Sequence, residues 1–357
     1  PHGFDISCDI LIHAPSILHF DVLIDAEGAA TPTWRNVGPC VLGPTSGCDM
    51  SQFRAPVAVE RGQDLAVDFG PFGLWLRFND IRWTKLHDLS PDIVASGDID
   101  GNGQSDLIIN FPGAGVWVWF NNSSWFQLHT LNVVSIATGD LDGNGRVDIL
   151  TNFSAYGIWL WRFGVGWSQL HPTSAHLMAT GDLDGNGRSE AIIDFSGAGL
   201  WVWANNSSWW KLNDSNAASL VVGDLDGTGR ADVLIDFPGS GVWIWGNNSS
   251  WLHLHTVSPA RMATGDLDGN GRHEAIFDVQ SGGLSGIWVL QNGTSWWQLH
   301  AMNAQTITTA DLDGNGRADV VVDFGSPGIW QWMNNTNWIK LHAVSPEGIV
   351  SGNIDGQ

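Results

Sequence analysis

The 357-residue sequence is 43% apolar and carries 44 glycines, 22 tryptophans and a formal net charge of −22, a composition that supports a substantial core and is not that of a disordered chain. Only 15 Lys and Arg stand against 37 Asp and Glu, and they are spread singly. This argues against a nucleic acid or an anionic membrane as partner, and there is no apolar run of about eighteen residues to span a bilayer.

Residues 1–52 belong to no repeat. Ile6 to His13 and His19 to Asp25 read as short strands, and Gly38 to Gly47 as a turn-rich stretch. The segment holds His2, His13, His19, Asp5, Asp9, Asp21 and Asp25. These admit a second metal site, the alternative being a small strand pair packed on, or extending from, the main body. All three cysteines, Cys8, Cys40 and Cys48, lie here. Cys40 and Cys48 flank a Gly-Pro-rich turn that is easily closed, so they are expected to pair and leave Cys8 over. No signal peptide is recognisable, which is also the case for a chain read after its leader has been removed.

From residue 53 to 357 the sequence is periodic. Six copies of an acidic loop begin at Asp98, Asp140, Asp182, Asp224, Asp266 and Asp311, 42 residues apart and 45 at the last step. The extra residues fall in the turn Gln280 to Gly286, where insertion costs little. Each loop reads Asp-x-Asp-Gly-(Asn/Thr)-Gly-x-x-(Asp/Glu), with side-chain oxygens at positions 1, 3, 5 and 9. These are Asp98, Asp100, Asn102, Asp106; Asp140, Asp142, Asn144, Asp148; Asp182, Asp184, Asn186, Glu190; Asp224, Asp226, Thr228, Asp232; Asp266, Asp268, Asn270, Glu274; and Asp311, Asp313, Asn315, Asp319. The carbonyl of position 7 (Gln104, Arg146, Arg188, Arg230, Arg272, Arg317) completes an oxygen cage, its side chain being free to vary. A hard cation such as Ca²⁺ takes six to eight oxygens at about 2.3–2.6 Å, and the glycines let a short loop curl round it. An EF-hand is excluded, since position 12 of the first loop is Ile109 and a strand-like run follows. Three carboxylates in each of six loops make up eighteen of the 37 acidic residues, so the acidity is mostly site chemistry. Weak sites of this kind need the millimolar calcium outside cells, and with cysteine scarce they point to an exported protein, extracellular or periplasmic.

Around each loop run four short β-forming stretches separated by Gly, Ser and Asn turns, as in Val133 to Gly139, Asp148 to Phe153, Gly157 to Arg162 and Trp167 to His171. One such four-stranded antiparallel meander, A to D, cannot bury both faces; copies placed radially can. The expected fold is an all-β, seven-bladed β-propeller, one blade for each third-strand signature: Gly73-Leu-Trp75, Gly115-Val-Trp117, Gly157-Ile-Trp159, Gly199-Leu-Trp201, Gly241-Val-Trp243, Gly286-Ile-Trp288 and Gly328-Ile-Trp330. The sequence ends in half a loop, Gly352 to Gln357, and Arg61 to Phe69 supplies the other half with strand B. The C-terminal strand is therefore expected to close the ring in the first blade, bringing Asn353 and Asp355 to Asp64 as an incomplete seventh site.

Over about residues 53–357 the loops, each following a Gly-ended strand, resemble FG-GAP/VCBS repeats, the blades of integrin α-type propellers, many bacterial secreted proteins and a mushroom lectin family. That resemblance implies about six Ca²⁺ ions, a seventh at the split loop, held by positions 1, 3, 5 and 9 with the carbonyl at 7. Thr228 departs from the pattern at position 5, and Glu190 and Glu274 at position 9.

Two further rows recur. Trp117 and Trp119 alternate onto one face of strand C with Val116, Val118 and Phe120 on the other, which suits packing between blades or, at an exposed seam, stacking on a sugar ring. Strand D ends in Leu-His at His87, His129, His171, His255, His300 and His342, and in Asn213 in the fourth blade. These cap turns, or line a ligand site on the face opposite the loops, where the integrin resemblance puts it. The sequons at Asn121, Asn205, Asn247, Asn292 and Asn334 read as hairpin turns or, in a glycosylating source, acceptors. Because the His and Asp sites are multiplied rather than unique, catalysis is the least favoured reading. The leading one is a multivalent carbohydrate-binding protein recognising a glycan or cell-surface glycoconjugate. The alternative is a protein-interaction scaffold docking a partner through residues 1–52, and the third a sugar-modifying enzyme.

Overall fold

The computed structural model describes residues 18–24, 33–40, 62–78, 82–281 and 284–357, the first two stretches as backbone. Chain contacts divide the molecule into Pro1–Val59 and Glu60–Gln357. In the first unit Leu18–Ile24 pairs antiparallel with Thr33–Cys40, with a register shift between His19 and Asp21. The strand expected at 6–13, the turn after Cys40, the cysteine pairing and the alternative metal cluster lie outside the described residues and side chains.

The second unit is a seven-bladed β-propeller. Every blade is a four-stranded antiparallel sheet in chain order, except the first, which takes its innermost strand from the C-terminus. Blade 2 shows the plan: A Ile93–Gly97, B Asp106–Phe111, C Gly115–Phe120, D Ser124–His129. Blade 1 consists of Gly348–Gly352, Asp64–Asp68, Leu74–Phe78 and Arg82–His87. Its closing pair runs Asp64↔Gly352 to Asp68↔Gly348, so the expected closure is present, with Gly352 the last residue of the strand.

Composition explains the radial order. Strand A is rich in Gly, Ala, Ser and Thr, and the A strands abut one another in a closed ring. Gly139 shows why small residues are needed: a Cβ there would lie 2.8 Å from Thr180 Oγ1. Hydroxyls link the A strands around the axis. Ser96 donates to the Ser351 carbonyl, Thr138 to Ser96, Thr180 to Thr138, Thr264 to Val222, Thr309 to Thr264 and Ser351 to Thr309; Val222 has no hydroxyl to continue the series. Strand B is buried along its whole length, covered by blades on both sides, and strand D is the exposed rim.

Buried apolar side chains of the described residues fall into seven clusters, each straddling one seam between blades. Alternation in strand C feeds two of them. Val116 and Val118 face blade 3, while Trp117, Trp119 and Trp125 face blade 1. At about 25 cal/mol per Å² of apolar surface, these seams are the main source of stability in a ring without a central core.

Candidate metal centre

Each acidic loop joins strand A to strand B, where the chain must reverse within a few residues of the axis. Position 1 holds the turn. Asp140 Oδ1 accepts the N–H groups of Gly143 (2.7 Å) and Asn144 (3.1 Å), and Oδ2 that of Gly145 (2.8 Å); the same pattern recurs at Asp98, Asp182, Asp224 and Asp266. Asn315 and Gly316 donate likewise to Asp311. Gly143 (φ +76°) and Gly145 (φ +81°) occupy the left-handed region that a side chain would strain. At position 5 the amide oxygens of Asn102, Asn144, Asn186, Asn270 and Asn315 accept the N–H of position 7 at 2.7–2.8 Å, which fixes the peptide plane between positions 6 and 7.

In five loops one oxygen from each of three carboxylates lies within 4.8 Å of the others: Asp98, Asp100, Asp106; Asp140, Asp142, Asp148; Asp182, Asp184, Glu190; Asp224, Asp226, Asp232; and Asp266, Asp268, Glu274. Position 9 is the buried member. Burial pushes the carboxyls of Asp106 and Asp319 up to about 6 and that of Asp148 to about 7, and raises Glu190, Asp232 and Glu274, with neighbouring loop carboxylates adding to the effect. The longer Glu does not alter the arrangement: Glu190 Oε2 accepts from Leu183 N at 2.9 Å much as Asp106 Oδ2 accepts from Ile99 N at 3.1 Å. The Asp311 loop differs, because the buried Gln331 donates its amide to Asp319 Oδ2 at 3.0 Å.

At the split site Asp64, fully buried, accepts the N–H groups of Ile354 and Asp355 at 2.9 Å each, and Asn353 Oδ1 accepts that of Gln357 at 3.0 Å. Position 1 here is an amide, and the C-terminal half carries one carboxylate, Asp355.

Three contributions are absent from a reading of loop oxygens alone. The apolar residue at position 2 (Ile99, Leu141, Leu183, Leu225, Leu267, Leu312, Ile354) is buried, and each enters one seam cluster; its invariable Ile/Leu character was the available signal. The first Asn of the C–D hairpin reaches back into the loop. Asn205 donates Nδ2 to Asp184 Oδ2 (3.1 Å), accepts from Asn186 Nδ2 (2.5 Å) and gives its own N–H to Glu190, and Asn121, Asn247, Asn292 and Asn334 do the same for Asp100, Asp226, Asp268 and Asp313. Finally, position 7 is not free. Its side chain leans over position 4 of the preceding loop, so that a Cβ on Gly143 would meet Arg188 Nε at 2.6 Å. The neighbouring N–H of position 8 donates to the position 1 carbonyl of that preceding loop. These bonds run from Val147 to Asp98, Ser189 to Asp140, Ala231 to Asp182, His273 to Asp224, Ala318 to Asp266, Gln63 to Asp311 and Ser105 to Asn353, at 2.5–2.8 Å, and join all seven loops in a circle.

The histidine row sits at the other end of the blades. Nδ1 of His87, His129, His171, His255, His300 and His342 accepts the N–H two residues on at 3.0–3.1 Å, and Asn213 Oδ1 takes that of Ser215. Each turn is thereby capped. The imidazole packs on the next blade, as in His171 with Phe195 (4.5 Å) and Trp209 (5.7 Å), and burial lowers the pKa of His300. In this seam a pocket of about 230 Å³ is lined by His171, Thr173, Phe195, Ala198, Trp201 and Trp209. Among the described residues no helix is long and apolar enough to cross a membrane.

No family model and no curated protein matches the chain. Among solved structures it is similar to BBS1N in complex with ARL6DN, in a form soaked with mercury (TM-score 0.50, 13% identity, 70% of this chain and 80% of that one) and in one soaked with lead (TM-score 0.51, 12% identity, 71% and 81%). At that identity the likeness is one of fold, and it agrees with the blades described above.

Proposed function

We propose that the chain is an exported interaction scaffold of the FG-GAP/VCBS type, in which calcium rigidifies a ring that binds a macromolecular partner. The observation carrying this reading is that the loop carboxylates hold backbone. Position 1 accepts three N–H groups and position 9 fastens the C–D hairpin, so a bound ion would lock the architecture instead of presenting a reactive centre. The donor set fits calcium. All the ligating atoms are oxygens, and the Oδ1 atoms of Asp100, Asp142, Asp268 and Asp313 are buried without a hydrogen-bond partner. Positions 1, 3, 5 and 9 with the position 7 carbonyl would hold the ion. Multiplied His and carboxylate positions favour binding over catalysis, and BBS1N, of similar fold, is described in complex with a protein, ARL6DN.

A carbohydrate ligand is the second reading, favoured by the aromatic seam pocket at His171, Trp201 and Trp209, since an indole offers a flat apolar face beside polar edges. One pair of measurements separates the two. Partner capture that is abolished by deleting residues 1–52, with no tryptophan fluorescence response to a broad glycan panel, supports the scaffold. A saturable response to one sugar, lost in Trp201→Ala, overturns it in favour of the lectin reading.

A further inference from the structure

Blade 3 departs from its neighbours at two adjoining positions. Strand C ends there in Arg162, where the other blades have Phe78, Phe120, Ala204, Gly246, Gln291 and Met333. The next residue is Phe163, where blades 2, 4, 5, 6 and 7 carry the hairpin Asn that donates to the position 3 carboxylate. The polar support that the hairpin gives every other complete loop is missing from the 140–148 loop, and a guanidinium takes its place. Arg162 Nε lies 3.4 Å from Asp142 Oδ2 and 3.7 Å from Asp148 Oδ2, with the side chain only 14% exposed. Its Nη2 donates to Asn206 Oδ1 in the hairpin of blade 4 at 2.6 Å, which anchors the group across the seam. Phe163 is in turn covered by the guanidinium of Arg146, 5.5 Å from the ring centroid.

We propose that Arg162 is the resident counter-ion of the 140–148 loop, so that this loop takes a divalent cation more weakly than the others and keeps its shape without one. The inference rests on the calcium reading above. A metal held by Asp140, Asp142 and Asp148 would sit beside a fixed positive charge, with little water to screen the repulsion. Either the guanidinium is displaced, giving up its bond to Asn206, or the ion binds against it. Both routes lower affinity. Among the described residues no other complete loop has a basic side chain paired with its carboxylates, so the effect is confined to one site.

Calcium titration of the intact chain by calorimetry, with terbium luminescence as a second readout, tests this. Arg162→Ala, which installs the residue found at Ala204, is expected to show one more high-affinity site than the wild type, an affinity gain of at least tenfold at that site. Arg162→Lys keeps the charge and should keep the wild-type count. Asp142→Asn should remove no high-affinity site, whereas Asp184→Asn in the next loop should remove one. In excess chelator Arg162→Ala should melt below the wild type, because its three carboxylates have lost their counter-charge; this also shows that the variant folds. Equal sites in the wild type, or an unchanged count in Arg162→Ala, overturn the inference while leaving the calcium reading intact. Binding at none of the loops overturns both.

Discussion

Removing residues 348–357 tests the ring most directly. The deletion strips blade 1 of its innermost strand, five residues paired from Asp64↔Gly352 to Asp68↔Gly348. It also withdraws Ile354, fully buried among Ala66, Leu74, Leu76, Leu107 and Ile109, and takes two N–H donors from the buried Asp64. Truncating one fully buried Ile to Ala costs about 2–5 kcal/mol, and stripping donors from a buried carboxylate costs about 1–3 kcal/mol more. The sum is about 3–8 kcal/mol before the strand ladder is counted, against a total domain stability of about 5–15 kcal/mol. At roughly 2 °C per kcal/mol for a chain of this size, Ile354→Ala should lower Tm by about 4–10 °C, and the truncated chain should lose its cooperative transition or melt more than about 10 °C early. Calorimetry and near-ultraviolet circular dichroism, which 22 tryptophans make sensitive, read this out. A peptide of residues 346–357 added in trans should restore part of the loss. If the truncated chain melts within about 2 °C of its parent, closure by this strand is not what holds the ring.

Other outcomes follow from the sites. Chelation should lower Tm markedly by leaving clustered carboxylates to repel one another, and an unchanged melt in excess chelator would refute a structural ion. In the chelated protein the folded-state pKa values of Asp106, Asp148 and Asp319 lie at about 6, 7 and 6, above the unfolded 3.8; the folded state therefore binds protons more tightly, and the stability these groups contribute is fully present below the unfolded value and is lost as pH rises from there through 6–7. Calcium should abolish that slope, and a metal-free melt that rises with pH would contradict the sign. Leu183→Ala, at position 2, should cost about 2–5 kcal/mol by chemical denaturation, although it removes no oxygen from its loop. His171→Ala should destabilise by about 1–3 kcal/mol through the lost turn cap and ring packing, whereas His171→Asn should lose less, since Asn213 caps its own turn with Oδ1; equal losses would show that the cap contributes nothing.

Period carried most of the fold. Seven Gly-x-Trp signatures set the number of blades, and two orphan half-repeats, Arg61 to Phe69 and Gly352 to Gln357, could only be reconciled by joining them. The loop oxygens were legible for the same reason, because a six-fold pattern at fixed spacing has few physical explanations. What escaped was contact between segments far apart in sequence. Arg188 meets Gly143 across a seam between blades, and Asn205 meets Asp184 within one blade from 21 positions away; no local rule relates either pair. The histidine row was visible as a row, but its Nδ1 bond and its contact with Phe195 or Phe324 belong to turn geometry and seam packing. Residues 1–52 repeat nothing and gave correspondingly little. Arg162 looked like one more strand-end residue until its direction was known.

The circle of hydrogen bonds from each position 8 N–H to the preceding position 1 carbonyl has a thermodynamic meaning beyond support. Seven similar units, each in contact with two neighbours and with no free end, form a closed one-dimensional lattice whose behaviour is set by unit terms and nearest-neighbour terms. Ala231 donates its N–H to the Asp182 carbonyl one residue before Asp232, so a change at Asp182 is expected to be felt first at the Asp232 loop. It reaches Asp98 only after passing through every loop between them. Anything that tightens one loop should therefore raise its neighbours' affinity by the same factor that they raise its own, and around a circle that influence decays equally in both directions.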